Sequence, residues 1–184
     1  MGIIDAIISL RPGLEVSVNG EVYKGIIWPK GYKDIPTEQE INDQLVSLKN
    51  AKILSDAISK KIKELNSFYD ACQIISVVTN NFTFSVPLKG DFFTTVISNQ
   101  ILQAQILGSA PLIVQDNKGN SQVIQDVPFD IWKSFFQTAK KLSFENFSLY
   151  TQLTIQINDC TSMDDVNAIS VDVFPSIQSI SLNI

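Results

Sequence analysis

The spacing of apolar and polar positions divides the chain into a short helix, several hairpins and two long helical stretches. Ile3, Ile4, Ala6, Ile7, Ile8 and Leu10 recur as on two helical turns, with Asp5 and Ser9 on the wet side and Pro12-Gly13 as the stop. Val16 and Val18, then Val22, Tyr23, Ile26, Ile27 and Trp28, flank Asn19-Gly20, a dipeptide that tolerates the positive φ of a tight hairpin turn. Pro29, Gly31 and Pro36 interrupt regular structure between 29 and 36. Thr37 and Glu40 then stand at capping-box spacing: the hydroxyl can accept from the amide of Glu40 while the carboxylate reaches back to the amide of Thr37. From there Ile41, Leu45, Leu48, Ala51, Leu54, Ile58, Ile62, Leu65, Phe68, Tyr69 and Cys72 recur at three and four, with no Pro or Gly to interrupt them. An unbroken helix over 37–72 would exceed about 50 Å, which points to a stalk or to a partner running alongside. Two helices bent near Lys49-Asn50, where the apolar seam shifts phase, are the alternative.

Further on, Ile74 to Val78 and Phe82 to Val86 predict a second hairpin around Thr79-Asn80-Asn81, closed by Pro87 to Gly90. Asp91 can cap a helix carrying Phe92, Phe93, Val96, Ile97, Ile101, Leu102 and Ile106, with Gly108 as its stop. A third hairpin joins Leu112-Ile113-Val114 to Val123-Ile124 through Asp116-Asn117-Lys118-Gly119-Asn120. Asp126 ahead of Pro128 predicts a helix start, and Trp132, Phe135, Phe136, Ala139 and Leu142 continue its pattern through Phe147, Tyr150, Leu153 and Ile157. Ser162 to Asp165 opens a last short helix through Ile169. The tail ends with Ile180, Leu182 and Ile184 alternating to one side, an edge strand in need of a sheet. The fold class is α+β, in three parts: a helix-hairpin module over 1–36, a helix and hairpin domain over 37–170 with its long helix at 37–72, and an extended arm over 171–184.

Composition narrows the chemistry. With 184 residues, 45% hydrophobic and 18% charged, the chain can build a proper core. The opening apolar octet is too short for a membrane span, contains Asp5 and lacks a basic flank, so it reads as part of the fold, with synthesis and use in a cytoplasm or in an assembly built there. A net charge of −5, with Arg11 the only arginine, disfavours nucleic acid. Cys72 and Cys160 read as reduced core residues. The absence of histidine removes Ser-His-Asp and Cys-His nucleophiles and the commonest zinc ligand. No lysine has a serine three residues before it, and the turn over 116–120 lacks the acidic ligands of a calcium loop. Glu38 and Glu40, like Asp164 and Asp165, fall in first helical turns, where a carboxylate complements the dipole. Lys49, Lys52, Lys60, Lys61 and Lys63 alternate with Asp56 and Glu64 as a solvated face does. No catalytic residue, cofactor, metal or small-molecule substrate is expected.

The opening module, "DAIISLRPG" followed by a hairpin ending "IIW" and by "IPTEQEINDQLVSL", resembles the N-terminal module of small tail proteins of tailed bacteriophages and prophages. Asp5, Leu10, Arg11, Pro12, Trp28, Pro36, Thr37, Glu38, Glu40 and Ile41 carry the likeness. The later stretch is similar to a C-terminal domain of uncharacterised role found on phage tail-fibre, baseplate and tail-assembly proteins, through Gly90-Asp91-Phe92, Asp116-Asn117, the segment from Asp126 to Trp132, and "CTSMDDVNAI". Leu112-Ile113-Val114 stands where that domain usually has a Trp. The resemblance implies a non-enzymatic structural protein in the virion tail, made in the bacterial host cytoplasm. It would contact other tail or baseplate proteins and copies of itself, in threes or sixes by tail symmetry, without membrane or nucleic acid. Ile58 and Leu65 on the long helix, and Ile180, Leu182 and Ile184 on a strand lent to a neighbouring sheet, are the expected contact residues. An assembly chaperone absent from the mature particle, and a host-glycan adhesin using Trp28 or Trp132, are the alternatives.

Overall fold

The computed structural model describes residues 1–20, 22–78, 83–88, 97–115, 121–174 and 179–181. The fold is α+β, and the chain divides into two compact units, 1–60 with 161–163 and 61–160 with 164–184. The boundary between these compact units falls inside the long helix.

In the first unit, α1 (Ile3–Leu10) buries Ile3, Ala6 and Ile7, and the Asp5 carboxylate accepts from the Gly2 amide at 2.7 Å to satisfy one free N-terminal donor. The ribbon β1 (Ser17–Val18) and β2 (Ile26–Ile27) is antiparallel, with Val18 opposite Ile26. A tight two-residue turn is not what joins them. The connection is long and includes a 3₁₀ turn over Tyr23–Gly25, held by the Asn19 amide donating to the Gly25 carbonyl at 2.8 Å, with Gly20 at φ +79°. Val22 is left exposed by this detour. Ile26 and Ile41 join the α1 residues in one core, against which Leu10, Leu14, Tyr23, Trp28, Leu45 and Leu48 pack.

The helix α2 (Glu38–Cys72) is a single run of 35 residues, about 52 Å at the helical rise, so the reading of two bent helices is set aside. Its phase shift is nevertheless real. Ile41, Leu45 and Leu48 turn inward, Ala51, Lys52 and Ser55 lie exposed where that seam would continue, and partial burial resumes at Leu54, Ala57 and Ile58 before Leu65 and Cys72 are enclosed.

In the second unit, five strands run in the order β6-β5-β4-β3-β7: β3 (Ile74–Val78), β4 (Thr83–Pro87), β5 (Ser109–Gln115), β6 (Ser121–Pro128) and β7 (Ser179–Ser181). All neighbours are antiparallel except β3 and β7, which run parallel with Val77 opposite Ile180. The turn at 79–82, the helix cap expected at Asp91 with Phe92, Phe93 and Val96, and the hairpin tip at 116–120 lie outside the described residues. The helix α3 (Ser98–Leu107) ends, as the sequence suggests, at Gly108 in the left-handed region, φ +83°. Asp126 is no helix start. It stands in β6 at φ +55°, where Leu112 pairs with Ile124 but Ala110 with Val127, so β6 carries an extra residue as a bulge. The strand runs on to Pro128, whose extended ψ turns the chain into α4 (Phe129–Asn158). Trp132, Phe135, Ala139 and Leu142 of α4, with Ile97 and Ala104, cover the sheet face made by Ile75, Val86, Leu112 and Val127. The short α5 (Met163–Ala168) completes the helices.

Candidate interaction surfaces

In the first unit, the polar residues of the opening motif tie its pieces together. The Arg11 guanidinium donates to Asp34 through Nη2 at 2.9 Å, with Nε 2.5 Å from the other carboxylate oxygen, and Nη1 donates to the Leu10 carbonyl at 2.9 Å. The hydrogen bond to Asp34 raises the Arg11 pKa further, so the charge is fixed at every accessible pH. Pro36 is buried, and its carbonyl accepts from the Tyr23 hydroxyl at 3.0 Å. The capping box forms as expected: the Thr37 amide donates to Glu40 at 2.7 Å and the Glu40 amide to the Thr37 hydroxyl at 3.2 Å. These bonds from Thr37 hold the Glu40 carboxyl below its usual pKa. Gln44 donates to Ser9 at 3.0 Å, fastening α2 to α1.

Leu65 is fully enclosed within its own chain and offers nothing to a partner; Ile58 is half-buried. Ile180 sits in β7, which pairs with β3 of the same chain and stands at the end of the described sheet; Leu182 and Ile184 lie outside the described residues. Main-chain hydrogen bonding satisfies a β-strand equally well within a chain or between chains, and alternation alone carries no sign of which.

Both tryptophans anchor cores. Trp132 is 1% exposed, donates through Nε1 to the Ala110 carbonyl at 3.1 Å and meets Phe135 edge-on at 6.1 Å. Trp28 is half-buried, 6.4 Å from the Tyr23 ring, and borders a hollow of about 520 Å³ shared with Glu15, Val16, Ser17, Ile27 and Pro29. Cys72 is a buried cysteine, as expected, but Cys160 is only partly covered. Desolvation, then Asp165 and Asp159, pushes the Cys160 thiol above its ordinary pKa. Among the described residues, no three His, Cys, Asp or Glu side chains are grouped to hold a metal, and no helix is long and apolar enough to cross a membrane.

The surface that sequence reasoning missed lies on α4. Its inner seam is regular: Trp132, Phe135, Ala139, Leu142, Asn146, Leu153 and Ile157 are all buried. Asn146 is enclosed, its amide donating to the Cys72 carbonyl at 3.2 Å to satisfy an end of α2. Tyr150 stacks on Tyr69 at 4.4 Å and donates to Asn66 at 2.9 Å. On the opposite side Phe144, Phe147 and Ile155 are 74%, 57% and 56% exposed. The signal was in the sequence: from Asn146 to Asn158 there is no charged residue, and apolar residues fall on both sides of the helix. On α3, too, Leu102 and Ile106 are exposed, while Gln100 and Ala104 are buried.

No protein-family model matches the chain, and neither a curated protein nor a solved structure matches it.

Proposed function

We propose that the chain is a non-enzymatic structural protein of a bacteriophage tail, at the baseplate or where a fibre attaches, working by protein-protein assembly. The observation that carries this reading is that the residues resembling the tail module act together. Arg11 clamps Asp34, Pro36 is buried under the Tyr23 hydroxyl bond, Trp28 packs on the core, and Thr37 with Glu40 starts α2. A chance likeness has no reason to select those residues that hold one packed unit together. The uncovered apolar face of α4 fits an assembly role, since a side chain left in water contributes nothing until something covers it.

Peptide mass mapping of purified particles, followed by localisation of the chain in a particle image, tests the proposal. The expected result is a tail component present at a fixed copy number. A chain abundant in infected or induced cells but missing from finished particles overturns it in favour of an assembly chaperone. Host-glycan binding by the isolated chain, lost in a folded Trp28→Ala variant, overturns it in favour of an adhesin.

A further inference from the structure

We propose that Asn19 is a site of spontaneous covalent modification, losing its carboxamide nitrogen through attack by the backbone amide of Gly20. Of the asparagines in the chain, Asn19 is the one followed by glycine. Both residues are exposed, and they stand between β1 and the 3₁₀ turn, outside any helix or strand. Gly20 lies at φ +79° with open space where a β-carbon would point, so no side chain crowds the approach of its nitrogen. Elsewhere the fold shields the same group. Asn50 and Asn66 in α2 and Asn146 in α4 are each followed by an amide that the helix commits to a carbonyl four residues back. The carboxamides of Asn66 and Asn146 are also engaged, with the Tyr150 hydroxyl and the Cys72 carbonyl.

The Gly20 nitrogen gives up its proton and bonds to the side-chain carbonyl carbon of Asn19. The bond from that carbon to the carboxamide nitrogen breaks, and ammonia leaves with the proton. Water then opens the succinimide ring at either of its carbonyls, giving aspartate or isoaspartate at position 19. Water is the only co-reactant, and nothing is oxidised or reduced. Either product adds one negative charge to the chain's −5. Isoaspartate also routes the main chain through the side-chain carbon, which lengthens it by a methylene where there is little slack. The Asn19 amide donates to the Gly25 carbonyl at 2.8 Å, and a β-carbon at Gly25 would collide with the Asn19 carbonyl. The modification therefore loosens the connection between β1 and β2, the ribbon that brings Val18 and Ile26 to the first core. It is independent of any place in a tail.

Peptide mapping should follow the full-length chain held folded at mildly alkaline pH and, in parallel, unfolded in guanidinium. Asn19 should convert at nearly the same rate in both, whereas Asn66 should convert on the order of tenfold or more slowly in the folded chain. Asn19→Gln, whose longer side chain closes the ring poorly, should lose the more acidic species that appears first on anion exchange while melting with the parent. Asn19→Asp separates charge from chain length. It should melt with the parent, whereas the isolated isoaspartate form should melt lower and exchange the amide of position 19 faster. Equal protection of Asn19 and Asn66 in the folded chain, or an early acidic species that survives Asn19→Gln, overturns the proposal. An isoaspartate form that melts and exchanges like Asn19→Asp overturns the loosening. If Asn19→Gln fails to fold, the ratio of folded to unfolded rates at Asn19 in the parent decides.

Discussion

The two long helices, α2 with 35 residues and α4 with 30, have opposite designs. α2 changes its buried side along its length: Ile41, Leu45 and Leu48 serve the core of the first unit, whereas Asn66, Tyr69 and Cys72 engage α4. Its outer face is charged and partly self-paired, Lys52 with Asp56 at 3.7 Å and Lys61 with Glu64 at 3.9 Å. Val46 and Ile53 are exposed singly among those charges, which is ordinary for a protein surface. α4 keeps a single buried seam from end to end and leaves an uncharged apolar stripe outside. Helix length, then, is a poor guide to where a partner sits, because α2 is long for serving two sets of neighbours within its own chain.

The most severe test of this contrast compares the two sides of α4. Trp132→Ala removes a 1% exposed indole and strands the Ala110 carbonyl, and should cost about 3–5 kcal/mol in chemical denaturation. Phe147→Ala, a ring of similar bulk on the wet side, should change stability by no more than about 0.5 kcal/mol. Comparable losses at the two sites would erase the distinction between seam and stripe. Leu65→Ala on α2 comes next, at about 2–5 kcal/mol in the isolated chain. Were Leu65 a partner contact after all, the substitution would be nearly silent there and would be felt only in an assembly.

How much of this was legible in the sequence depends on the range of the interaction responsible. Elements governed by neighbours in the chain were readable: α1 between Ile3 and Leu10, the capping box at Thr37, the stop at Gly108, and the strand pair at 74–78 and 83–87. Features decided by distant contacts were not. The bulge at Asp126 exists because β5 lies opposite it; a lone Asp before a Pro reads as a helix cap. β7 finds β3 across about a hundred residues, and its alternation is silent on the partner. Leu65 and Phe147 are both apolar residues at helical spacing, and only the packing of α2 and α4 buries one and exposes the other.

The α2 start offers a finer comparison, since its stability is local. Thr37→Ala should cost about 1 kcal/mol and loosen the first turn of α2, detectable as faster amide exchange near Glu40, with α4 unaffected.

The smallest effect is the pH dependence of the same cap. Glu40 accepts from the Thr37 amide and hydroxyl at 2.7 and 2.8 Å, and those bonds lower its pKa from the usual 4.5 in the folded chain. Because the folded value is the lower one, the contribution is fully present above the unfolded carboxylate pKa and disappears as pH falls through the depressed folded value. A melting series through the acid range should therefore show the parent chain losing stability faster than Glu40→Gln, which keeps an acceptor but cannot titrate. The difference between the two should close at the acid end. α4 provides the control: its uncharged stripe holds no carboxylate between Asn146 and Asn158, so Phe147→Ala should run parallel to the parent across the same range. A Glu40→Gln curve that also runs parallel to the parent would mean that the cap contributes nothing as an ion and that Thr37 alone starts the helix.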